Sequence, residues 1–234
     1  MRSHIAICIP AFNEENTIAE AVNDAESALK QITDKYQIIV INDGSIDSTS
    51  IILQELSRNN SKLLVINHEK NLGIAASLLD GYSAAESDYI FFNSADKQAP
   101  MSYILQMYPL MDRYDMVVGC FTNRSDHWLR LFYSRLYHSL IRILFGVKFH
   151  NVNALKLFKK QVYDSYENKL RSNLCIDVEM IIRAQINGYK VLEIPFEHYS
   201  RKAGKTKVVS IANTINTFCN LFILFIILKL EKIT

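Results

Sequence analysis

Two carboxylates stand where chemistry is expected, Asp43 in Ile38–Ser45 (IIVINDGS) and Asp96 in Ile90–Pro100 (IFFNSADKQAP). Each follows an apolar run of β-branched and aromatic residues, the pattern of a buried strand, and each begins a polar loop. A carboxylate at the carboxyl end of a strand in an open α/β sheet lies on the edge where ligands bind. Two of them on different strands suit a metal ion, a ribose or a diphosphate. The six histidines show neither HxH nor HExxH spacing, and no Walker A loop or GxGxxG occurs. Zinc enzymes, P-loop kinases and dinucleotide-binding dehydrogenases are therefore not indicated.

The elements that must position these residues alternate along the first half. Strands are expected at His4–Ile9, Tyr36–Ile41, Lys62–Asn67 and Asp88–Asn93, with Pro10 closing the first. Helices are expected over Thr17–Ile32, Thr49–Arg58 and from Asn71 to about Ala85. In the first helix Ile18, Ala21, Val22, Ala25 and Leu29 fall at helical spacing. The loop Asn13–Asn16 can cap it, and Ser45 or Asp47 can cap the second. Such alternation predicts right-handed βαβ units and a mostly parallel sheet flanked by helices. Farther on, helices are expected at Tyr103–Tyr114, Trp128–Phe145 and Asp177–Asn187, the last stopped by Gly188. Short strands are expected at Met116–Gly119, Asn153–Phe158 and Val191–Ile194.

At 234 residues and 49% hydrophobic, the chain suits one α/β domain with a small extension. A net charge of +2 gives no ground for nucleic-acid binding. The four cysteines (Cys8, Cys120, Cys175, Cys219) lack CxxC spacing and read as reduced and buried. No long apolar run precedes Pro10, so no secretory signal is expected. The sequence divides into an α/β domain, 1–207, and a hydrophobic C-terminal helix, 208–234. Within the latter, Phe218–Leu228 is almost wholly apolar but short of the ~20 residues that span a bilayer. Extension to Val208 reaches that length but includes Asn213, Asn216 and Asn220, which are costly against lipid. The segment around 211–230 reads as an interfacial membrane helix, as a helix pairing with a second copy or a membrane protein, or as a core helix. Lys229 and Lys232 suit anionic headgroups.

Taken in order, the motifs resemble those of the family 2 glycosyltransferases with the GT-A fold. Ile9–Glu14 resembles their P-x-Y/F-N-E opening, Asn42–Ser45 their DDGS turn, and Asn71–Gly73 their N-x-G segment. Ser94–Gln98 stands where they carry D-A-D-x-Q, and Asn151–Phe158 resembles D-x-x-x-x-[RK]-x-[FY]. Cys175–Arg183, Glu193–Pro195 and Arg201–Lys207 are most like the polyprenyl-phosphate sugar transferases, among them dolichyl-phosphate mannose synthase. The resemblance covers about residues 5 to 210.

The resemblance implies a nucleotide-sugar donor, UDP- or GDP-linked, lying against Pro10, Phe12, Glu14, Asp43, Gly44, Ser45, Asn71, Gly73 and Ala95. Asp96, with Gln98, is implied to hold a divalent cation (Mg²⁺ or Mn²⁺) that bridges to the diphosphate. Ser94 replaces the first Asp of the family pattern, so one carboxylate is missing and weaker metal binding is expected. Lys97 is expected to point to solvent. Arg130, Arg135, Arg201 and Lys205 are candidates for donor or acceptor phosphate, since guanidinium forks match phosphate oxygens. Glu179, or less favourably Asp177, could serve as a base toward a sugar hydroxyl; a lipid phosphate is already anionic and needs none. The implied activity is inverting transfer to polyprenyl phosphate at the cytoplasmic face of a membrane. A saccharide acceptor in surface-glycan assembly and a non-catalytic nucleotide-binding module are the alternatives.

Overall fold

The computed structural model describes residues 4–122, 128–150, 155–170, 176–197, 199 and 211–231; the side chains of 128–130 and 211–214 are outside this description. Seven strands form one sheet: β1 (Ile5–Ala11), β2 (Tyr36–Asn42), β3 (Leu63–Asn67), β4 (Tyr89–Phe92), β5 (Met116–Phe121), β6 (Lys156–Lys159) and β7 (Val191–Phe196). Their spatial order is β3-β2-β1-β4-β6-β5-β7. Only β6 runs against its neighbours, pairing antiparallel with β4 and β5. The helices are α1 (Ile18–Lys30), α2 (Thr49–Asn59), α3 (Ile74–Ser83), α4 (Ile104–Met107), α5 (Trp128–Phe145), α6 (Lys160–Asp164), α7 (Ile176–Ile186) and α8 (Ile211–Glu231).

Strand alternation divides the core into two layers. Ile5, Ile7 and Ile9 of β1 face α1, α2 and α4, together with Ile38, Val40, Phe91 and Leu157. Ala6 and Cys8 face the other side, with Ile39, Ile41, Phe92, Phe158, α3, α5, α7 and α8. Helices thus cover both faces, as the alternating pattern predicts.

The chain reverses its direction of growth across the sheet at β1, with β2 and β3 to one side and β4 to the other. This is the switch point at which open α/β sheets carry ligands. Pro10 widens it. The strand does not stop there, as expected from sequence, but continues to Ala11 along β2. The Ala11 carbonyl accepts from Asp43 on the β2 side, and the Cys8 carbonyl from Asn93 on the β4 side. By alternation Pro10 faces β4, toward which it has no N–H to donate. Pairing with β4 accordingly ends at Cys8–Phe92, and the two strands part beyond it.

Other departures have local causes. The helix expected over Tyr103–Tyr114 is instead α4 between two 3₁₀ turns, because Pro109 enters at the start of the second turn. The strand expected to begin at Asn153 is described from Lys156. Gly188 does end α7 in the left-handed conformation, at φ 81°. Cys8 is buried, but Cys219 is exposed on α8, contrary to expectation; Cys175 is outside the described residues.

The C-terminal helix belongs in part to the core. Leu221, Leu224 and Leu228 are buried along one face of α8, and near its end Glu231 forms a two-pronged pair with Arg183 of α7 at 2.6 and 3.0 Å. It runs beside α5, with ring contacts between Tyr137 and Phe218 and between Phe145 and Phe225. Both helices also keep large apolar side chains exposed, among them Phe132, Leu136 and Ile143 of α5 and Phe222, Ile226 and Leu230 of α8. Among the described residues no helix is long and apolar enough to cross a membrane.

Asp115 fastens the far side of the sheet. Its carboxylate accepts from Lys159 Nζ at 2.8 Å and from the Lys190 N–H at 2.9 Å. Burial raises this carboxyl, but the two hydrogen bonds outweigh it and hold the group below its ordinary 3.8. A lowered folded value gives stability that is present above the ordinary value and lost as pH falls through the folded one. Asp115→Asn should therefore cost about 1 kcal/mol at neutral pH. In urea titrations the gap to the wild type should shrink below pH 3.8; a gap that persists unchanged at lower pH would contradict this.

Candidate functional site

The site is built from three loops at the carboxyl ends of β1, β2 and β4. The first two interlock. Asn13, in the left-handed region at φ 57°, donates its N–H to Ser45 Oγ (3.0 Å) and accepts from the Ile46 N–H through Oδ1 (2.9 Å). Glu14 N–H donates to Thr49 Oγ1 (2.9 Å), and Glu15 accepts from the Ser48 N–H (3.0 Å). The N-cap of α2 is Ser48 rather than Ser45 or Asp47, and Asp47, one residue earlier, accepts from the Thr49 N–H at 3.0 Å. The Glu14 carboxylate accepts from the Thr17 hydroxyl at 2.7 Å, which turns it toward the start of α1. Phe12 is half-buried beside this wall.

Asp43, expected to reach a base or ribose, has both oxygens engaged within the protein. Oδ1 accepts from the Leu72 N–H at 2.8 Å and lies 2.8 Å from His68 Nδ1; Oδ2 accepts from the Gly73 N–H at 2.9 Å. His68 Nε2 in turn lies 3.0 Å from Asp80 Oδ2. Asp43 is thus the post around which the β3–α3 loop is wound. Gly44 is required by the same packing. It sits at φ 68°, and a Cβ there would lie 2.4 Å from the Lys70 carbonyl carbon. Gly73, at φ 91°, opens α3, and Asn71 Nδ2 donates to the Asp43 carbonyl at 3.3 Å.

The third loop carries Asp96. Asn93 stitches its ends, donating from Nδ2 to the Ala99 carbonyl (3.0 Å) and accepting from the Ser94 N–H (2.9 Å). Ser94 Oγ, in place of a second carboxylate, accepts from the Asp96 N–H at 3.4 Å. Asp96 Oδ1 accepts from the Gln98 N–H at 3.1 Å. Ala95 is buried, so it lines the loop's underside. Lys97 does not point to solvent. It adopts φ 59°, and its ammonium pairs with Glu20 and, at 3.0 Å, with Asp24 of α1. Tyr199 donates its N–H to the Gln98 carbonyl at 3.0 Å, which brings the chain after β7 to this loop. Arg201 and Lys205 follow within six residues of that bond but lie outside the described residues.

Glu179 departs from its expected role as a base. It is fully buried in α7, and Oε1 accepts from Arg183 Nε at 2.8 Å. A carboxylate sealed behind a guanidinium cannot reach an acceptor hydroxyl. Asp177, two residues earlier, is instead part-exposed and paired with Lys156. The Lys156 side chain is wholly buried, with its ammonium 4.8 Å from the Phe92 ring. This places Asp177 by the carboxyl end of β4. Arg135 is exposed on α5, and the Arg130 side chain is outside the described residues.

Among the described residues no cluster of three or more His, Cys, Asp or Glu could cage a metal. The chemistry of the donor set nevertheless fits a hard cation. Mg²⁺ commonly takes one or two carboxylates, keeps several waters and completes its shell with substrate phosphate. Asp96, with the Gln98 amide, offers that set at the switch point.

A three-layer α/β fold with its polar loops at this switch point is the arrangement in which open α/β sheets carry ligands. The family model of glycosyl transferase family 2 matches residues 6–167, more than half of the chain, and the protein belongs to that family. Its fold is similar to that of glucosyl-3-phosphoglycerate synthase from Mycobacterium tuberculosis, solved with Mn²⁺, UDP and phosphoglyceric acid. That match has 14% identity and a TM-score of 0.72, and covers 95% of this chain and 78% of the other. It is also similar to the mannosyltransferase PcManGT from Pyrobaculum calidifontis in complex with GDP-Man and Mn²⁺. There the identity is 16% and the TM-score 0.66, over 94% of this chain and 62% of the other. TarS 1-349 of S. aureus matches at 17% identity and a TM-score of 0.61, over 83% of this chain. The present chain spans 59% of TarS 1-349, less than two thirds of its length.

Asp43→Ala should remove three buried contacts at once. Stability is expected to fall by about 2–4 kcal/mol, given that hydrogen bonds to a charged group are worth ~1.5–3 kcal/mol each and overlap here. The amides of Leu72 and Gly73 should lose protection from hydrogen exchange before the β1 and β2 amides do. Unchanged protection at those two positions would contradict the assignment.

Proposed function

We propose that the protein is an inverting glycosyltransferase that moves a sugar from a UDP- or GDP-sugar to polyprenyl phosphate at the cytoplasmic face of a membrane. The observation that carries the donor half is the position of Asp96, on the β4 loop at the switch point, opposite the wall formed by residues 12–15 and 43–48. The nucleoside would lie against Phe12, Glu14 and that wall. The diphosphate would lie toward Asp96 and Gln98, the loop to which Tyr199 is tied through the Gln98 carbonyl. A divalent cation held by Asp96 would neutralise charge developing on the leaving diphosphate. Displacement at the anomeric carbon forms one bond to the acceptor oxygen as the bond to the diphosphate oxygen breaks, which inverts the centre.

The lipid half rests on α5 and α8. Their exposed apolar side chains adjoin exposed Arg135 and Lys229, a composition suited to an interface with anionic headgroups. An acceptor that is already an anion also needs no base, in keeping with a buried Glu179. A second reading, a saccharide acceptor, is favoured by one observation: Asp177 is a part-exposed carboxylate held by a buried lysine beside the β4 end.

The two readings separate in one assay. Purified protein is given labelled UDP- and GDP-sugars, with detergent-dispersed polyprenyl phosphate or a saccharide panel, in Mg²⁺, Mn²⁺ or EDTA. Lipid-extractable label from one donor is expected, lowered about 100-fold or more in Asp96→Asn and kept in Asp177→Asn. Label on saccharide alone, lost in Asp177→Asn, would establish the second reading. Nucleotide binding with no transfer to any acceptor would leave a non-catalytic module.

A further inference from the structure

Lys97 has no role in the reading above, yet three observations set it apart. It is one of two non-glycine residues with positive φ among the described residues, at 59°. Its side chain is only 12% exposed, although a lysine on a polar loop ordinarily extends into water. Its ammonium engages two carboxylates, Glu20 and Asp24, one helical turn apart on α1. A backbone conformation that L-residues avoid is sustained when surrounding contacts over-determine it. Here the left-handed turn at Lys97 accompanies a side chain that reaches α1, while Asp96 Oδ1 accepts from the Gln98 backbone N–H across the same turn.

We propose that Lys97 is a positioning residue for the cation-binding loop: by clamping residues 94–98 to Glu20 and Asp24 of α1, it fixes Asp96 and Gln98 in the crevice where the loop has a serine in place of a second carboxylate. A loop with two carboxylates is drawn together by the cation itself. With Asp96 alone, the cation has one charged handle, and the remaining order comes from the protein. The clamp also keeps the Lys97 charge on α1, where two carboxylates balance it, and off the cation site. The inference rests on the reading of Asp96 as the cation ligand.

The test is Mn²⁺ binding in the presence of UDP or GDP, read by electron paramagnetic resonance and calorimetry without acceptor. Lys97→Met removes the charge and keeps the stem, whereas Lys97→Gly also relieves the positive φ. Both should weaken Mn²⁺ binding about tenfold, the effect typical of losing an outer support of a metal ligand. In transfer assays at subsaturating Mn²⁺ the KM for donor should rise, and saturating Mn²⁺ should restore most of kcat. Charge exchange, Lys97→Glu with Glu20→Lys, should recover part of the loss. Lys30→Met, which breaks the exposed Lys30–Glu26 pair on the same helix, should change nothing. Wild-type affinity in both Lys97 variants would overturn the proposal while leaving the Asp96 reading intact. No Mn²⁺ binding by the wild type would overturn both. Equal loss of thermal stability and of affinity in Lys97→Met, with full affinity in Lys97→Gly, would show strain rather than a clamp and would also overturn it.

Discussion

The Asp43 carboxylate is the interaction on which the candidate site depends. It lies at the end of a central strand, is almost wholly buried, and accepts from two successive backbone amides while facing an imidazole. Taking a carboxylate out of water is costly unless such donors meet it. Once met, the requirement leaves little freedom. The β3–α3 loop must return to β2 at residues 72 and 73. Gly44 must have no side chain, because Lys70 and Asn71 occupy the space a Cβ would take. The turn at 44–48 must then face the loop after β1, to which Ser45, Ile46 and Thr49 are bonded. One buried charge thus ties together the β3–α3 loop, the turn after β2 and the loop after β1.

The other wall is governed by a missing donor. Pro10 offers no N–H toward β4, so β1 and β4 separate past Cys8 and Phe92 just where the sheet reverses. The opening is a consequence of backbone chemistry, and the loop carrying Asp96 is then secured by its own contacts: Asn93 across its base, Tyr199 on Gln98, and Lys97 on α1. Rigid scaffolds that present polar groups on tethered loops are the usual economy of α/β sites.

Much of the architecture could be read from the sequence. The β-branched run at 38–41, the β-branched and aromatic run at 90–92 and the helical spacing of Ile18, Val22, Ala25 and Leu29 are strong signals, and the sheet follows from them. The antiparallel β6 is a different matter, since its four residues pair with strands far away in sequence. The site was legible in outline: the segments around Asp43, Asn71 and Asp96 do converge on one sheet edge. The partners were not legible. Whether a carboxylate faces a ligand or an internal donor is decided by contacts 25 to 30 residues away for Asp43, and Asp43 and Gly44 differ in function from what a plain turn would suggest. Glu179 and Asp177 are two apart on a helix and so point in different directions, one into the core and the other toward the β4 end; no local pattern tells which is which. His68 escaped notice because its two acidic neighbours, Asp43 and Asp80, are not spaced as a motif.

The proposed function puts the donor diphosphate between the carboxyl ends of β1 and β4, with the cation on Asp96. The most direct measurement is a crystal structure of the protein with UDP or GDP and Mn²⁺, using anomalous scattering to locate the metal. One Mn²⁺ peak is expected within bonding distance of Asp96, bridged to the diphosphate, with the nucleoside along residues 12–15 and 43–48. A nucleotide seated elsewhere, such as the cavity of about 380 Å³ beside Arg183 and Tyr189, or a metal held by the diphosphate with no contact to Asp96, would contradict it.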